Sequence, residues 1–284
     1  MARFSTRFSM DSFRAARARA GYRSRDVPFA QSNTHPLHCM ETSTVSRHNT
    51  FVACRPEAYQ FFQEQFPHLE TSEGLLRAAV AISMHALDDV DPDRVEQRLQ
   101  TLGLRVRERA PSRRAAAILA NMHSVLFDEE GFAGDMERYY NALNSYVPAV
   151  LNTRRGLPVL LALIYKIVGE SAGLTIQGIN APGHFLVRVQ CDNAWMIVDP
   201  FFGGQMLTRH EAFDQLDRIA GQRLPRTDNL LAAATHHQWL TRILGNLRQL
   251  FATEGRRDDL TAMTELATAL DAFPQETTRD IVAA

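Results

Sequence analysis

Residues 154–173 read RRGLPVLLALIYKIVGESAG, and this stretch decides the fold. Pro158 suits the first turn of a helix, where a backbone amide has no intrahelical acceptor. Apart from Lys166, residues 159–168 are apolar on every side of such a helix, and this is typical of a buried helix. Gly173 suits the left-handed conformation that ends many helices. The stretch therefore predicts a buried helix at the centre of the protein.

Strand patterns follow this helix. Thr175–Asn180, His184–Val189 and Trp195–Asp199 are rich in β-branched and aromatic residues. Turn-forming residues at 191–193 separate the last two runs, so we predict a β-hairpin there.

The hairpin predicts a pair of polar neighbours. With Cys191 and Asp192 as a two-residue loop, counting back along both strands sets His184 opposite Asp199. Directly opposed residues have Cβ atoms about 5 Å apart on one face of a sheet. A three-residue loop would shift this register by one, and a bulge could restore it.

Helical patterns flank this region. Residues 56–127 predict an antiparallel helical bundle, in which Asp91 caps a helix that runs from Pro92 to about Leu102, and Pro111-Ser112 open another. Near the C-terminus, His236–Thr253 and Asp258–Phe273 predict a helical hairpin. One such pair cannot bury its own apolar face, so we expect it to pack on the core.

The overall composition excludes several classes of function. The 284 residues are 45% hydrophobic and have a net charge of −1, so no global field favours nucleic acid. No apolar run approaches the roughly 20 residues that cross a bilayer, and no membrane association is expected. Three cysteines are too few for a disulfide framework and fit a reducing, cytoplasmic environment.

Residues 1–50 differ from the rest. Up to Met40 they contain seven Arg, no Lys and two acids, which predicts disorder. Either the segment is an organelle transit peptide or Met40 is the true start, and the second interpretation is favoured. His35, His38 and Cys39 lack a second ligand pair at finger-like spacing, so neither a metal nor a cofactor is predicted.

Several motifs in the central region together resemble the SirB-type transglutaminase-like family. They are Tyr139-Tyr140, Asn144-Ser145, Arg154-Arg155-Gly156-Leu157-Pro158, Pro182-Gly183-His184-Phe185 and Asp199-Pro200-Phe201 through Gly204. The resemblance implies an α+β fold with an N-terminal helical bundle, a papain/transglutaminase-like core of a buried helix plus a small antiparallel sheet, and a C-terminal helical hairpin. It further implies a transglutaminase-like domain at 55–220, with a helical part at 55–127 and a core at 128–220. A tetratricopeptide-like hairpin at 230–275 completes this organisation.

The resemblance also implies a Cys-His-Asp triad with the cysteine at the start of the buried helix. His184 and Asp199 match two of its positions, and Gly156 and Ala162 match the residues that flank the nucleophile. The nucleophile's own position holds Pro158, which has no reactive group. The chain thus departs from the superfamily at the residue that forms the covalent bond.

Three functional hypotheses remain open. The first is a non-catalytic module that binds an unknown peptide or protein, with Arg154, Arg155 and Asn144 as candidate ligand-binding residues. The second is a hydrolase in which His184 and Asp199 activate water. In the third, the pair is structural and the function lies elsewhere in the chain. The two arginines have a structural alternative of their own, in which they are solvated or form ion pairs with the acidic loop at 128–130.

Overall fold

A computed structural model describes residues 53–273, and the predicted features of residues 1–50 lie outside this range. Its helices carry the labels α1 to α9 in chain order. They are Pro56–Glu64, Ser72–Met84, Pro92–Arg109, Ala115–His123, Val147–Thr153, Pro158–Ala172, Arg209–Ala220, His236–Glu254 and Arg257–Ala272. The strands carry the labels β1 to β6. They are Ala133–Gly134, Arg155–Gly156, Ile176–Ala181, His184–Cys191, Ala194–Asp199 and Gln205–Leu207.

The α6 helix (Pro158–Ala172) is the buried helix that the sequence predicts. It begins at Pro158, and Gly173 adopts the left-handed conformation after its last turn, with φ of 100°. Lys166 lies inside the core, where its Nζ donates to Glu170 Oε1 at 2.5 Å and to the carbonyl of Ile176 at 3.0 Å. The buried charge of Lys166 therefore has partners inside the protein.

The main sheet is antiparallel, with the strand order β3-β4-β5-β6. On one face Phe185, Val187 and Val189 belong to the same apolar core as α6. On the other face Ile179 and Leu186 pack in a second core with side chains of α7. Together with the helices before it, this sheet confirms the predicted α+β fold class.

The predicted register of the β4–β5 hairpin is wrong by two residues. Cys191 pairs with Ala194 and Val187 with Val198, so the turn is formed by Asp192 and Asn193. Asp192 accounts for the shift, because it adopts a left-handed conformation with φ of 51°. A shift of two keeps every side chain on its predicted face, so His184 and Asp199 become diagonal neighbours instead of direct partners.

The helix boundaries also differ from the sequence prediction. Asp91 caps α3 (Pro92–Arg109) as predicted, but the helix continues seven residues beyond the predicted end at Leu102. The next helix, α4, begins at Ala115 and not at Pro111.

The C-terminal hairpin of α8 and α9 packs on the core, as the sequence predicts. Trp239 of α8 is fully buried, and its ring centroid lies 4.6 Å from that of Phe185 in β4. Gly178 in β3 leaves room for the indole, because a Cβ there would lie 2.2 Å from Trp239 Nε1. Glu265 of α9 also accepts hydrogen bonds from the backbone amides of Ala53 and Cys54, at 3.0 and 2.9 Å.

Candidate functional site

The sheet brings His184 and Asp199 together, as the sequence predicts. His184 begins β4 directly after the Pro182-Gly183 turn, and Asp199 ends β5. The His184 Nε2 atom lies 2.7 Å from Asp199 Oδ2. His184 is 3% exposed and Asp199 is fully buried. The pair is therefore shielded from bulk water.

Asp199 accepts four hydrogen bonds. Besides His184, the side-chain amide of Gln215 donates to Oδ2. The backbone amides of Phe201 and Phe202 donate to Oδ1 at 2.9 and 3.3 Å. Only donors surround the Asp199 carboxylate, so both of its oxygens act as hydrogen-bond acceptors.

Asp199 Oδ2 accepts a hydrogen bond from His184 Nε2. The geometry therefore assigns the proton of a neutral His184 to Nε2. Within residues 53–273, the Nδ1 atom has no hydrogen-bond partner. The rings of Phe201 and Phe202 lie 5.8 and 5.9 Å from the imidazole, measured between centroids. His184 thus has one nitrogen held by a carboxylate and one with a free lone pair.

The cysteines of the described region do not supply a nucleophile. Burial, with a smaller contribution from the nearby Glu265, raises the pKa of the Cys54 thiol to about 12. Burial and Asp192 raise the pKa of the Cys191 thiol. Both thiols therefore stay protonated at neutral pH, and protonated thiols are poor nucleophiles.

Two of the three candidate ligand-binding residues contact the loop before β1, and the third, Asn144, contacts the segment after it. Arg154 forms an ion pair with Glu130 at 2.5 Å, as one of the sequence hypotheses states. Arg155 Nη1 donates to the carbonyl of Gly131 at 2.6 Å. The buried Asn144 amide donates to the carbonyl of Arg138 at 2.7 Å. A ligand role for these residues remains a prediction.

Burial and hydrogen bonding have opposite effects on the pKa of Glu130. Burial tends to raise the pKa of this carboxyl, but hydrogen bonds from Arg105 and Arg154 outweigh it and lower the pKa. Arg105 Nη2 donates to Glu130 Oε1 at 2.6 Å. The carboxylate therefore already has two guanidinium partners, which fixes Arg154 against the loop.

Sequence reasoning missed Gln215, although the sequence contains a signal. Ala212, Leu216 and Ile219 form the buried face of α7 (Arg209–Ala220). Gln215 lies on that same face at helical spacing, and a polar residue there needs a buried partner. That partner is Asp199.

Aromatic side chains connect the His184 pair to the surface. Tyr139 lies 6.1 Å from Phe201 and 5.3 Å from Tyr140, measured between ring centroids. Tyr140 is 40% exposed, and Leu143 close by in the chain is 42% exposed. We call Tyr139, Tyr140 and Phe202, together with Leu143 three residues after Tyr140 in the chain, the aromatic rim.

Two structural absences hold for residues 53–273. No three His, Cys, Asp or Glu side chains in this part of the chain are arranged to hold a metal ion. In the same part, every helix is too short or too polar to cross a membrane.

A buried helix next to an antiparallel sheet that carries a hydrogen-bonded His-Asp pair defines a transglutaminase-like core. The sequence profile of the transglutaminase-like superfamily matches residues 93–245, more than half of the chain. The chain belongs to the transglutaminase-like superfamily.

Comparison with known proteins gives partial matches. A UPF0162 protein of Xylella fastidiosa (strain 9a5c) is 34% identical over 143 residues, which cover 49% of this chain and 51% of that protein. The UPF0162 protein PA3419 of Pseudomonas aeruginosa is 29% identical over 192 residues, 67% of this chain and 65% of that protein. F-box only protein 21 of Homo sapiens is 33% identical over 147 residues, 49% of this chain and 22% of that protein.

The aligned region thus spans about half the length of the first curated relatives, and much less of F-box only protein 21. No solved structure matches the chain significantly.

Proposed function

We propose that this chain is a SirB-type member of the superfamily that binds a peptide or protein segment beside His184 without thiol catalysis. The observation that carries the proposal is Pro158, which begins the buried α6 helix where the resemblance implies the nucleophile. The exposed part of the aromatic rim offers apolar contacts, and Tyr140 is linked to the pair through the rings of Tyr139 and Phe201. We place this function in the cytoplasm because the sparse cysteines suit a reducing compartment.

The proposal also covers the domain organisation. We regard residues 55–220 as the binding domain and residues 230–275 as a hairpin that supports it. Contact between Trp239 and Phe185 supports this, because Phe185 follows His184 in β4.

A substitution in the aromatic rim tests the binding proposal. Peptides selected from a displayed random library would be measured against wild type and Leu143→Asp. A charge on the rim should weaken their Kd by about tenfold or more, since exposed apolar contacts are lost. Leu104→Asp on α3 is the matched control, because Leu104 is also exposed, at 51%. Failure to select any peptide, or equal losses in both variants, would contradict the proposal.

A thiol-reactive peptide electrophile tests the absence of covalent chemistry. The wild-type protein should show no His184-dependent labelling in the site. Pro158→Cys is the positive control: it restores a thiol at the start of α6, where the resemblance implies a nucleophile that reaches the histidine. This thiol should be activated and labelled, and His184→Ala should abolish the activation. Stoichiometric, His184-dependent labelling of the wild type would overturn the non-catalytic assignment.

A second candidate function rests on the free Nδ1 atom of His184. A histidine held by a carboxylate at one nitrogen can take a proton from water at the other, as a general base in amide or ester hydrolysis. A broad hydrolase screen that compares wild type with His184→Ala decides this alternative. Turnover that is unchanged by the substitution would remove it.

A further inference from the structure

Arg242 of α8 reaches across to the turn that carries His184. Its Nη2 atom donates to the carbonyl of Ala181 and to Asn180 Oδ1, both at 2.6 Å. Ala181 ends β3 and pairs with His184 in the sheet. A cation from the C-terminal hairpin is thus fixed beside the start of β4.

The positive charge of Arg242 has no carboxylate partner within residues 53–273. Several other partly buried arginines of this region do have one: Arg105 and Arg154 share Glu130, and Arg226 pairs with Asp217 at 2.8 Å. Arg98 and Arg188 resemble Arg242 in bonding only to uncharged groups. Burial lowers the pKa of Arg242, and Tyr139 is the group that counteracts this. A guanidinium removed from water is normally paired, because burying an isolated charge is costly.

Arg242 also keeps unused donors. Its two hydrogen bonds engage only Nη2, and no described residue accepts from Nε or Nη1. Solvent reaches both atoms, because neither is among the fully buried polar atoms of residues 53–273 that lack a partner. The donors that remain are available to a group outside the fold.

The location connects Arg242 to the aromatic rim. Tyr139 interacts electrostatically with Arg242, and its ring lies 6.1 Å from Phe201. Phe201 in turn contacts His184. A ligand on the rim would therefore meet a fixed positive charge close to the His184 pair.

We infer that Arg242 binds a carboxylate of the segment that occupies the site. The inference rests on the proposed binding function and names the class of ligand, an acidic peptide or a peptide with a free C-terminus. Guanidinium donors recognise carboxylates through charge-assisted hydrogen bonds, which are stronger than neutral ones.

Three peptides test the inference with the full-length protein. They are N-acetyl-Leu-Tyr-Gly with a free carboxylate, the same peptide as its C-terminal amide, and amidated N-acetyl-Leu-Tyr-Asp. Binding would be followed by NMR through the Nε–Hε resonance of Arg242 and the amide of Gly183. We expect at least one carboxylate peptide to bind about tenfold tighter than the neutral amide. Which of the two it is distinguishes a terminal from a side-chain carboxylate.

Variants assign the preference to Arg242. Arg242→Gln should remove it, and Arg242→Lys should retain part of it because the charge remains. Arg248→Gln on the exposed face of the same helix is the matched control and should behave as wild type. Thermal unfolding of each variant shows that the hairpin remains folded.

The outcomes separate this inference from the function on which it rests. Equal binding of all three peptides, or a preference that persists in Arg242→Gln, overturns the role of Arg242 and leaves the binding proposal intact. If no peptide binds at any concentration tested while library selection succeeds, the carboxylate inference fails alone. If selection fails as well, both fail.

Discussion

Two His-Asp pairs of the described region contain a buried histidine, and they differ in the histidine nitrogen that faces away from the carboxylate. His184 has a free Nδ1 beside Asp199. In the other pair, His85 Nε2 lies 3.2 Å from Asp259 Oδ1, and His85 Nδ1 accepts from the backbone amide of Arg55 at 3.3 Å. Both nitrogens of His85 are therefore engaged.

The two aspartates also differ. Asp199 is fully buried and lacks an arginine partner, whereas the side chain of Asp259 is 25% exposed and accepts from Arg256 Nε at 2.8 Å. Burial tends to raise the pKa of Asp259, but hydrogen bonds from Arg256 and His85 outweigh it and lower the pKa. A His-Asp pair by itself therefore does not indicate chemistry, and the free second nitrogen distinguishes the candidate site from the structural pair.

The largest expected effect is the difference in unfolding free energy lost when each of the two aspartates is replaced by alanine. Asp199→Ala leaves His184, Gln215 and two backbone amides buried without an acceptor, and should cost about 3–5 kcal/mol of unfolding free energy. Asp259→Ala should cost only about 1 kcal/mol, because water can replace the lost contacts. Urea unfolding followed by circular dichroism measures both. Similar losses would contradict the comparison.

The pH dependence of stability adds a third histidine, His123, which has no carboxylate partner, to the comparison of His184 with His85. His123 contacts Tyr165 Oη at 2.7 Å, and burial lowers its pKa to about 4, against a smaller opposing effect of Asp128. Between pH 6.5 and 4 the unfolded chain therefore binds a proton that the folded chain does not. Stability should fall by on the order of 2–3 kcal/mol as pH decreases through this window.

His123→Gln keeps a polar partner for Tyr165 and removes the titration. Unfolding free energies measured at pH 7 and pH 4.5 should differ less in this variant than in wild type. An unchanged pH slope would show that another group is responsible.

The smallest expected effect concerns one further side-chain donor to each aspartate, Gln215 for Asp199 and Arg256 for Asp259. Gln215→Ala removes a buried hydrogen bond to a carboxylate and should cost about 1–2 kcal/mol. Arg256→Ala removes a half-exposed donor from Asp259 and should cost less than about 1 kcal/mol. A larger loss for Arg256→Ala in thermal unfolding would reverse the order that burial predicts.

Patterning made the main elements predictable. The apolar surface of residues 159–168 and the glycine at 173 identified α6, and the alternating strands identified the hairpin. The face of each residue in the hairpin was predictable because the side-chain period of a strand is two. The register was not, because it depends on which turn residue accepts a left-handed conformation, here Asp192.

The sequence by itself determined that a histidine and an aspartate share one face of a sheet and that Pro158 begins the buried helix. Only the tertiary structure decided what surrounds them. Gln215 comes from α7 and Arg242 from α8, and sequence spacing does not encode which distant helix packs against a strand end. Long-range packing brought these donors to the site, so the partners of Asp199 and the unpaired cation beside His184 emerged only from the fold.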